Sequence, residues 1–208
     1  MPESSPAVVP EPDATPLVRL LTRTIRTSLL QRPDLIPASA GTGVVVIKSA
    51  ADSQVASIDL DGSEIRVVSG AMCGADAVLT LDLARRLEVV EVDTDGHDEL
   101  VGLVSSLVNP VLPSWSDAAQ EFWRTTGTDA GMPATLVIQN AEQYGDELEL
   151  GAGLPRYTVH GTPDALAGLF TGADSFLDEV FAGNLKVRGT LPQLSVMAGA
   201  SFKVRFHV

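Results

Sequence analysis

The most informative segment of the chain runs from Pro163 to Ala200 and reads PDALAGLFTGADSFLDEVFAGNLKVRGTLPQLSVMAGA. Its Asp and Gly positions predict a helix in two parts, 164–170 and 174–182, because Asp can cap the start of a helix and Gly can end one. Residues 184–187 predict a short strand, since apolar and charged side chains alternate there between two glycines. A terminal apolar segment follows.

This order of elements resembles the C-terminal half of the sterol-carrier-protein family, sterol carrier protein type 2 and its bacterial relatives. In that family a strand runs into a helix, a glycine-bounded turn, a second helix, a Gly-x-Leu-x-Val-x-Gly strand and a last apolar helix. Residues 156–160 would be the first of these strands, and the resemblance extends back to about Trp115. It implies an α/β protein of the α+β type, with a mixed, twisted sheet covered on one side by helices. Between sheet and helices the family has an apolar tunnel that can hold sterols, fatty acids, acyl-CoA or phospholipids.

The resemblance also implies which residues of this chain would line such a tunnel. On the two helix parts they are Leu166, Leu169, Phe170, Phe176, Leu177, Val180 and Phe181. On the strand and the terminal segment they are Leu185, Val187, Leu194, Val196 and Met197. Phe181 would place its ring between its helix and the sheet. The chain departs from the family pattern at its end, where residues 202–206 alternate like a strand.

Composition bounds the class of protein. The formal net charge of -13 over 208 residues argues against nucleic acid, because a phosphate backbone would repel the chain. A single cysteine, Cys73, excludes an internal disulfide and fits a reducing compartment. No apolar run approaches the roughly 20 residues of a membrane span, and the first residues lack the features of a signal peptide. We therefore expect a cytoplasmic protein. Its scarce lysine and abundant Arg, Ala, Gly and Val suggest a GC-rich bacterial genome.

The N-terminal region divides into two parts. Residues 1–13 combine prolines and acids with almost no large apolar side chain, which predicts a disordered tail. Thr15 and Pro16 then open a helix that extends to about Gln31, with a leucine-rich stripe on one side. Its other side carries Arg19, Arg23 and Arg26. Either the leucine stripe packs on an acidic body whose carboxylates face the arginines, or the helix makes transient contact with anionic membranes.

The rest of the first half predicts a sheet. Four β-rich runs separated by turn residues predict a strand meander, and Asp61-Gly62 indicates a hairpin. The four runs are 44–48, 55–60, 64–68 and 77–81. Residues 85–92 fit a further strand or a helix, and 100–108 predict a short helix that ends before Pro110.

A comparison within the chain predicts an internal duplication. Residues 44–50 align with 135–141, and Ile58 to Leu60 align with Leu148 to Leu150. In each half of the chain an amphipathic helix precedes these runs. We therefore expect a degenerate helix-plus-meander unit at 14–110 and a sterol-carrier-like unit at 111–208, packed against each other.

No pattern in the sequence specifies a cofactor, a metal or a catalytic centre. Residues 91–102 have acids at the first, third and fifth positions of a calcium loop, but Gly102 stands where the bidentate Glu is needed. Cys73 has no histidine placed beside it in sequence, and the three histidines lack metal-ligand spacing. We therefore expect a protein that is not an enzyme.

The sequence is compatible with three functions. The first, which the resemblance implies and which we expect, is a non-enzymatic carrier of a lipid, sterol or fatty-acyl ligand with an apolar pocket between sheet and C-terminal helices. The second is an interaction or scaffold protein with the same fold and a filled core, whose partner is another protein or a second copy. The third is an accessory subunit of a lipid-modifying enzyme.

Overall fold

The computed structural model describes residues 6–36 and 42–206. The described chain is a mixed α/β protein with two open mixed sheets, one of six strands and one of four, so the predicted fold class is confirmed. It divides into two compact units, one containing the described residues up to Val111 together with Phe206, the other Leu112–Arg205. The predicted packing of one unit on the other stays a prediction.

The first unit carries the six-stranded sheet and two helices. Its elements are strand Ala7–Pro10 (β1), helix Pro16–Gln31 (α1), strands Gly43–Ser49 (β2), Val55–Leu60 (β3), Glu64–Ser69 (β4), Ala77–Asp82 (β5) and Glu88–Thr94 (β6), and helix Asp98–Leu107 (α2). A 3-10 turn, Pro33–Leu35, follows α1. The ambiguous segment at 85–92 thus contributes most of β6.

The second unit carries the four-stranded sheet and four helices. Its elements are helix Trp115–Thr126 (α3), strands Thr135–Asn140 (β7), Glu147–Gly151 (β8) and Arg156–Gly161 (β9), helices Pro163–Thr171 (α4) and Phe176–Phe181 (α5), strand Leu185–Arg188 (β10) and helix Leu191–Phe206 (α6). Residues 202–206, which alternate like a strand in sequence, are the last turns of α6. The strand prediction there is wrong, because the segment continues a helix that begins at Leu191.

Helix α1 begins and ends where the sequence predicts. Thr15 caps it by accepting a hydrogen bond from Val18 N at 3.4 Å, and Pro16 occupies its first turn. The leucine stripe is buried in the core of the first unit, which supports the packed arrangement. Two of its arginines donate to backbone carbonyls and not to carboxylates: Arg19 Nε to Ala14 O and Arg26 Nη2 to Val8 O, each at 2.9 Å. Contact with a membrane stays a prediction.

The prediction of a disordered tail at 1–13 is wrong for the residues that the structure describes. Ala7–Pro10 form β1, which pairs in parallel with β4 at the edge of the first sheet. Val8 is buried there, Arg26 binds its carbonyl, and Glu11 accepts a hydrogen bond from Ser69 N at 3.0 Å. Side-chain composition could not show this, because β1 is held largely through its backbone. Residues 1–5 lie outside the described residues.

The first sheet is more than a meander. Strands β2, β3 and β4 follow one another along the chain, and each pairs antiparallel with the next. The Asp61-Gly62 hairpin between β3 and β4 forms as predicted, with Gly62 at φ +87. The next strand, β5, crosses to the far side of β2 and pairs with it in parallel, which gives the order β1-β4-β3-β2-β5-β6. Spacing alone predicts strands but not this crossover.

The two sheets share one arrangement of four strands. Strands β3, β2, β5 and β6 of the first sheet have the same order and directions as β8, β7, β9 and β10 of the second. A matching backbone hydrogen bond links each central pair: Ala50 N donates to Leu81 O at 2.9 Å, and Ala141 N to Gly161 O at 2.8 Å. This is the topology that an internal duplication requires.

The detailed alignment of the two halves needs one correction. Val45 pairs with Ile58, whereas its counterpart Leu136 pairs with Leu150. Ile58 therefore corresponds to Leu150, two residues beyond the Leu148 to which the sequence alignment assigned it. The connection between β7 and β8 spans 141–146, against 50–54 in the first unit, and this longer turn moves the register of the following strand.

Candidate functional site

Most residues expected to line a tunnel form the apolar core of the second unit instead. Six are buried and four more are partly buried against them. The buried ones are Leu166, Leu169, Phe170, Phe176, Leu185 and Met197; the partly buried ones are Leu177, Val180, Val187 and Leu194. Phe170 meets Phe122 of α3 with ring centroids 5.3 Å apart at 60°, a favourable tilted pair. Side chains thus occupy the region between sheet and helices where the family resemblance implies a tunnel.

Two glycines show how closely this core is packed. A Cβ on Gly161 would lie 2.5 Å from Leu185 Cδ2, and one on Gly189 would lie 2.3 Å from Tyr157 Cδ2. Real Cβ atoms do not come so close to other atoms, so an alanine at either position would force its neighbour to move. Gly183, at the other end of β10, has open space around it and φ +80, so it is required by the turn.

The start and end of the predicted two-part helix differ in detail from expectation. Thr162, and not Asp164, caps α4 by accepting from Ala165 N at 3.2 Å. Gly172 ends α4 in the left-handed conformation, φ +71, as predicted. Helix α5 is shorter than expected, and Ser175 precedes it.

The C-terminal end of α4 is held by α6. Arg205, which is buried, donates from Nη1 to Gly172 O at 2.8 Å and to Ala173 O at 2.7 Å. Carbonyls at a helix end lack intrahelical donors, and a guanidinium there also complements the helix dipole. This contact fixes α6 beside the start of α5.

Two residues of the expected lining lie elsewhere. Phe181 is 81% exposed, so the prediction that its ring lies between helix and sheet is wrong. Helix α5 buries Phe176 and Glu179 instead, and Glu179 Oε2 accepts a hydrogen bond from Asn184 Nδ2 at 2.9 Å. This turns the Phe181 position outward. Val196 lies outside the core, beside Gly131.

A small cleft lies between α5 and α6, and not between sheet and helices, where the resemblance implies a tunnel. It is bordered by Ser175, Phe176 and Leu177 on one side and by Ala198, Ser201 and Phe202 on the other. Its volume is about 10 Å³, which is about the space that one water requires. In this conformation it does not accommodate an acyl chain.

Beside this cleft is an exposed apolar surface, which we call the α5–α6 face. It consists of the half-buried Leu177 of α5 and the exposed Leu191 and Phe202 of α6, with the buried Ala198 between the last two. Leu191 is 80% exposed and Phe202 is 49% exposed. Helix α6 also directs Met197 and Ala200 into the core, so its apolar side chains lie on opposite sides of the helix.

Tyr157 is a polar residue of this core that sequence reasoning did not single out. It is 1% exposed, and its hydroxyl has no hydrogen-bond partner among the described residues. Burial raises the pKa of Tyr157 to about 12, because the charged phenolate would be desolvated. Its inward position on β9 could be read from the alternation of that strand, but the missing partner could not.

The patterns considered for metal and thiol chemistry are dispersed. Cys73 is exposed, and His97 lies 3.9 Å from an oxygen of Asp76. Within residues 6–36 and 42–206, no three His, Cys, Asp or Glu side chains are grouped as metal ligands. His207 lies outside the described residues. None of the helices in those ranges combines the length and apolarity needed to cross a bilayer.

No protein-family model, curated protein or solved structure matches this chain significantly. The sterol-carrier resemblance therefore stays a prediction, and function has to be inferred from the geometry of the chain itself.

Proposed function

We propose that this protein is a non-enzymatic interaction or scaffold protein that binds an apolar helix of a partner protein on its α5–α6 face. The observation that carries the proposal is the exposure of Leu191 and Phe202 on one side of α6, beside a core that is already filled. Grouped exposed side chains of this size are typical of binding surfaces, whereas single ones are common anywhere.

The shape of the face suits a helix. Leu191 and Phe202 are eleven positions apart on α6, about 16 Å at 1.5 Å per residue, with Ser195 and Ala198 between them on the same side. Small residues between two large ones leave a shallow depression about three turns long. The apolar face of a partner helix would place its side chains at i, i+3, i+4 and i+7 along such a depression.

The test is site-specific photo-crosslinking in living cells, with a photoreactive phenylalanine analogue at Phe202. Tyr144 is fully exposed in a loop and serves as the control position. We expect a discrete protein adduct from position 202, none from position 144, and loss of the adduct when Leu191→Lys is added. Adducts that are equal at both positions, or that persist with Leu191→Lys, would contradict the proposal.

A second candidate function is the lipid carrier, and the Tyr157 hydroxyl is the observation that favours it. A buried hydroxyl without a partner costs roughly 1 to 3 kcal/mol, a cost that a polar group of a bound ligand could remove. Titration with a fluorescent fatty acid tests this. Saturable binding that weakens in Tyr157→Phe would support the carrier, and the absence of saturable binding would leave the interaction protein.

A further inference from the structure

The two sheets end in exposed edge strands at equivalent positions, and these edges carry opposite charge. β6 ends the first sheet and β10 ends the second. β6 exposes acidic side chains and β10 exposes basic ones. These are Glu88, Glu91 and Asp93 on β6, and Lys186 and Arg188 on β10.

The charged groups on both edges are available. Within the described ranges, none of these five side chains forms an ion pair or a hydrogen bond. Charges on an edge strand commonly prevent it from pairing with another copy of itself. Here the same charges disfavour pairing of β6 with β6 or of β10 with β10, because like charges opposite each other are destabilising. Between β6 and β10 they attract.

One antiparallel register places complementary side chains opposite each other on both faces of the two strands. Placing Asp93 opposite Lys186 also places Glu91 opposite Arg188 and Val92 opposite Val187. Val92 pairs within its own sheet with Leu79, and Val187 pairs with Val159, both of which belong to the helix-covered cores. The two valines would therefore meet on the helix-covered side and the two ion pairs on the other side.

We propose that β6 of one chain pairs with β10 of a second copy of this chain and joins their sheets edge to edge. Each such contact leaves β10 of one copy and β6 of the other available. The association therefore continues from copy to copy or closes into a ring. This pairing goes beyond the proposed function, because it uses the sheet edges and not the α5–α6 face.

Charge reversal of the full-length chain tests the pairing by sedimentation velocity over a range of concentrations. Glu91→Lys/Asp93→Lys reverses one edge, and Lys186→Glu/Arg188→Glu reverses the other. We expect the wild type to associate as its concentration rises, and less so at high salt, because screening weakens exposed ion pairs. Each double variant alone should sediment as a monomer. The quadruple variant, in which both edges are reversed, should associate again.

A matched control reverses two exposed acids away from both edges, Glu99→Lys/Glu142→Lys, and changes the net charge by as much as Glu91→Lys/Asp93→Lys does. This control should associate like the wild type. Circular dichroism should show that all variants fold, because the substituted side chains are exposed. A wild type that is monomeric up to about 1 mM, or an association that both double variants retain, overturns the inference. Neither result bears on the α5–α6 face, which the crosslinking experiment tests separately.

Discussion

The ring of Tyr157 lies so close to Gly189 that a Cβ on the glycine would be 2.3 Å from Tyr157 Cδ2. Gly189→Ala should therefore destabilise the protein by about 1 to 3 kcal/mol, the usual cost of overpacking a filled core. Gly199 offers a matched control, because it is helical and has nothing within 4 Å of its Cβ position. Gly199→Ala should be stabilising by up to about 1 kcal/mol. Chemical denaturation measures both. Equal effects would show that the core beside Tyr157 is not filled.

Two phenylalanines distinguish a buried position from an exposed one. Phe170→Ala should cost about 3 to 5 kcal/mol, because Phe170 is buried against Phe122. Phe181→Ala should cost less than about 1 kcal/mol, because the ring is mostly in solvent. Thermal and urea unfolding of the two variants provides the comparison. A large loss at Phe181 would mean that its ring is buried, as the sterol-carrier resemblance implies.

Stability at high pH should depend on Tyr157. Its folded pKa is raised to about 12 by burial, so the folded state keeps a proton that the unfolded state releases above about pH 10. Keeping this proton adds up to about 3 kcal/mol to the free energy of unfolding. That stabilisation is fully present below pH 10 and is lost as the pH rises from 10 to 12. Tyr157→Phe should remove that loss while leaving stability at neutral pH unchanged or slightly raised, since the hydroxyl has no described partner.

The measurement is urea unfolding of wild type and Tyr157→Phe between pH 8 and about 11.5, within the window set by the two states of Tyr157. Tyr144→Phe, which removes an exposed phenol, is the matched control. Parallel stability curves for wild type and Tyr157→Phe would mean that the phenol is not desolvated.

The N-terminal strand should contribute to stability. Removing residues 1–10 deletes β1 and the carbonyl that Arg26 binds, and it exposes the β4 edge. We expect a loss of about 2 kcal/mol, mostly from the burial of Val8. Val8→Asp should reproduce most of that loss, whereas Val9→Asp, on the exposed side, should cost a few tenths of a kcal/mol. A truncated chain as stable as the full one would contradict the pairing of β1 with β4.

Local signals predicted most of the elements of this fold. Thr15-Pro16 specifies the start of α1, Asp61-Gly62 specifies a hairpin, and Gly172 specifies the end of α4. Each depends on the conformational preference of one or two residues. The parallel crossover of β5 and the pairing of β1 depend on contacts between distant segments, which no local preference encodes.

The candidate site was less predictable for a related reason. A tunnel lining and a filled core use the same apolar residues at the same spacing, so Leu166 or Met197 fits both equally well. What separates them is the rotation of α5, which turns Glu179 inward to a partly buried hydrogen bond with Asn184. That contact pairs two polar residues across a turn, and hydrophobic periodicity gives no sign of it. Phe181 therefore points outward although its position in the sequence reads as core.

The most direct test of whether the core is filled by the protein's own side chains is native mass spectrometry of the freshly purified full-length chain. We predict ions whose masses correspond to the polypeptide alone, whether single or associated. A lipid, sterol or fatty-acyl molecule that co-purifies in a fixed one-to-one ratio with the chain would contradict a filled core.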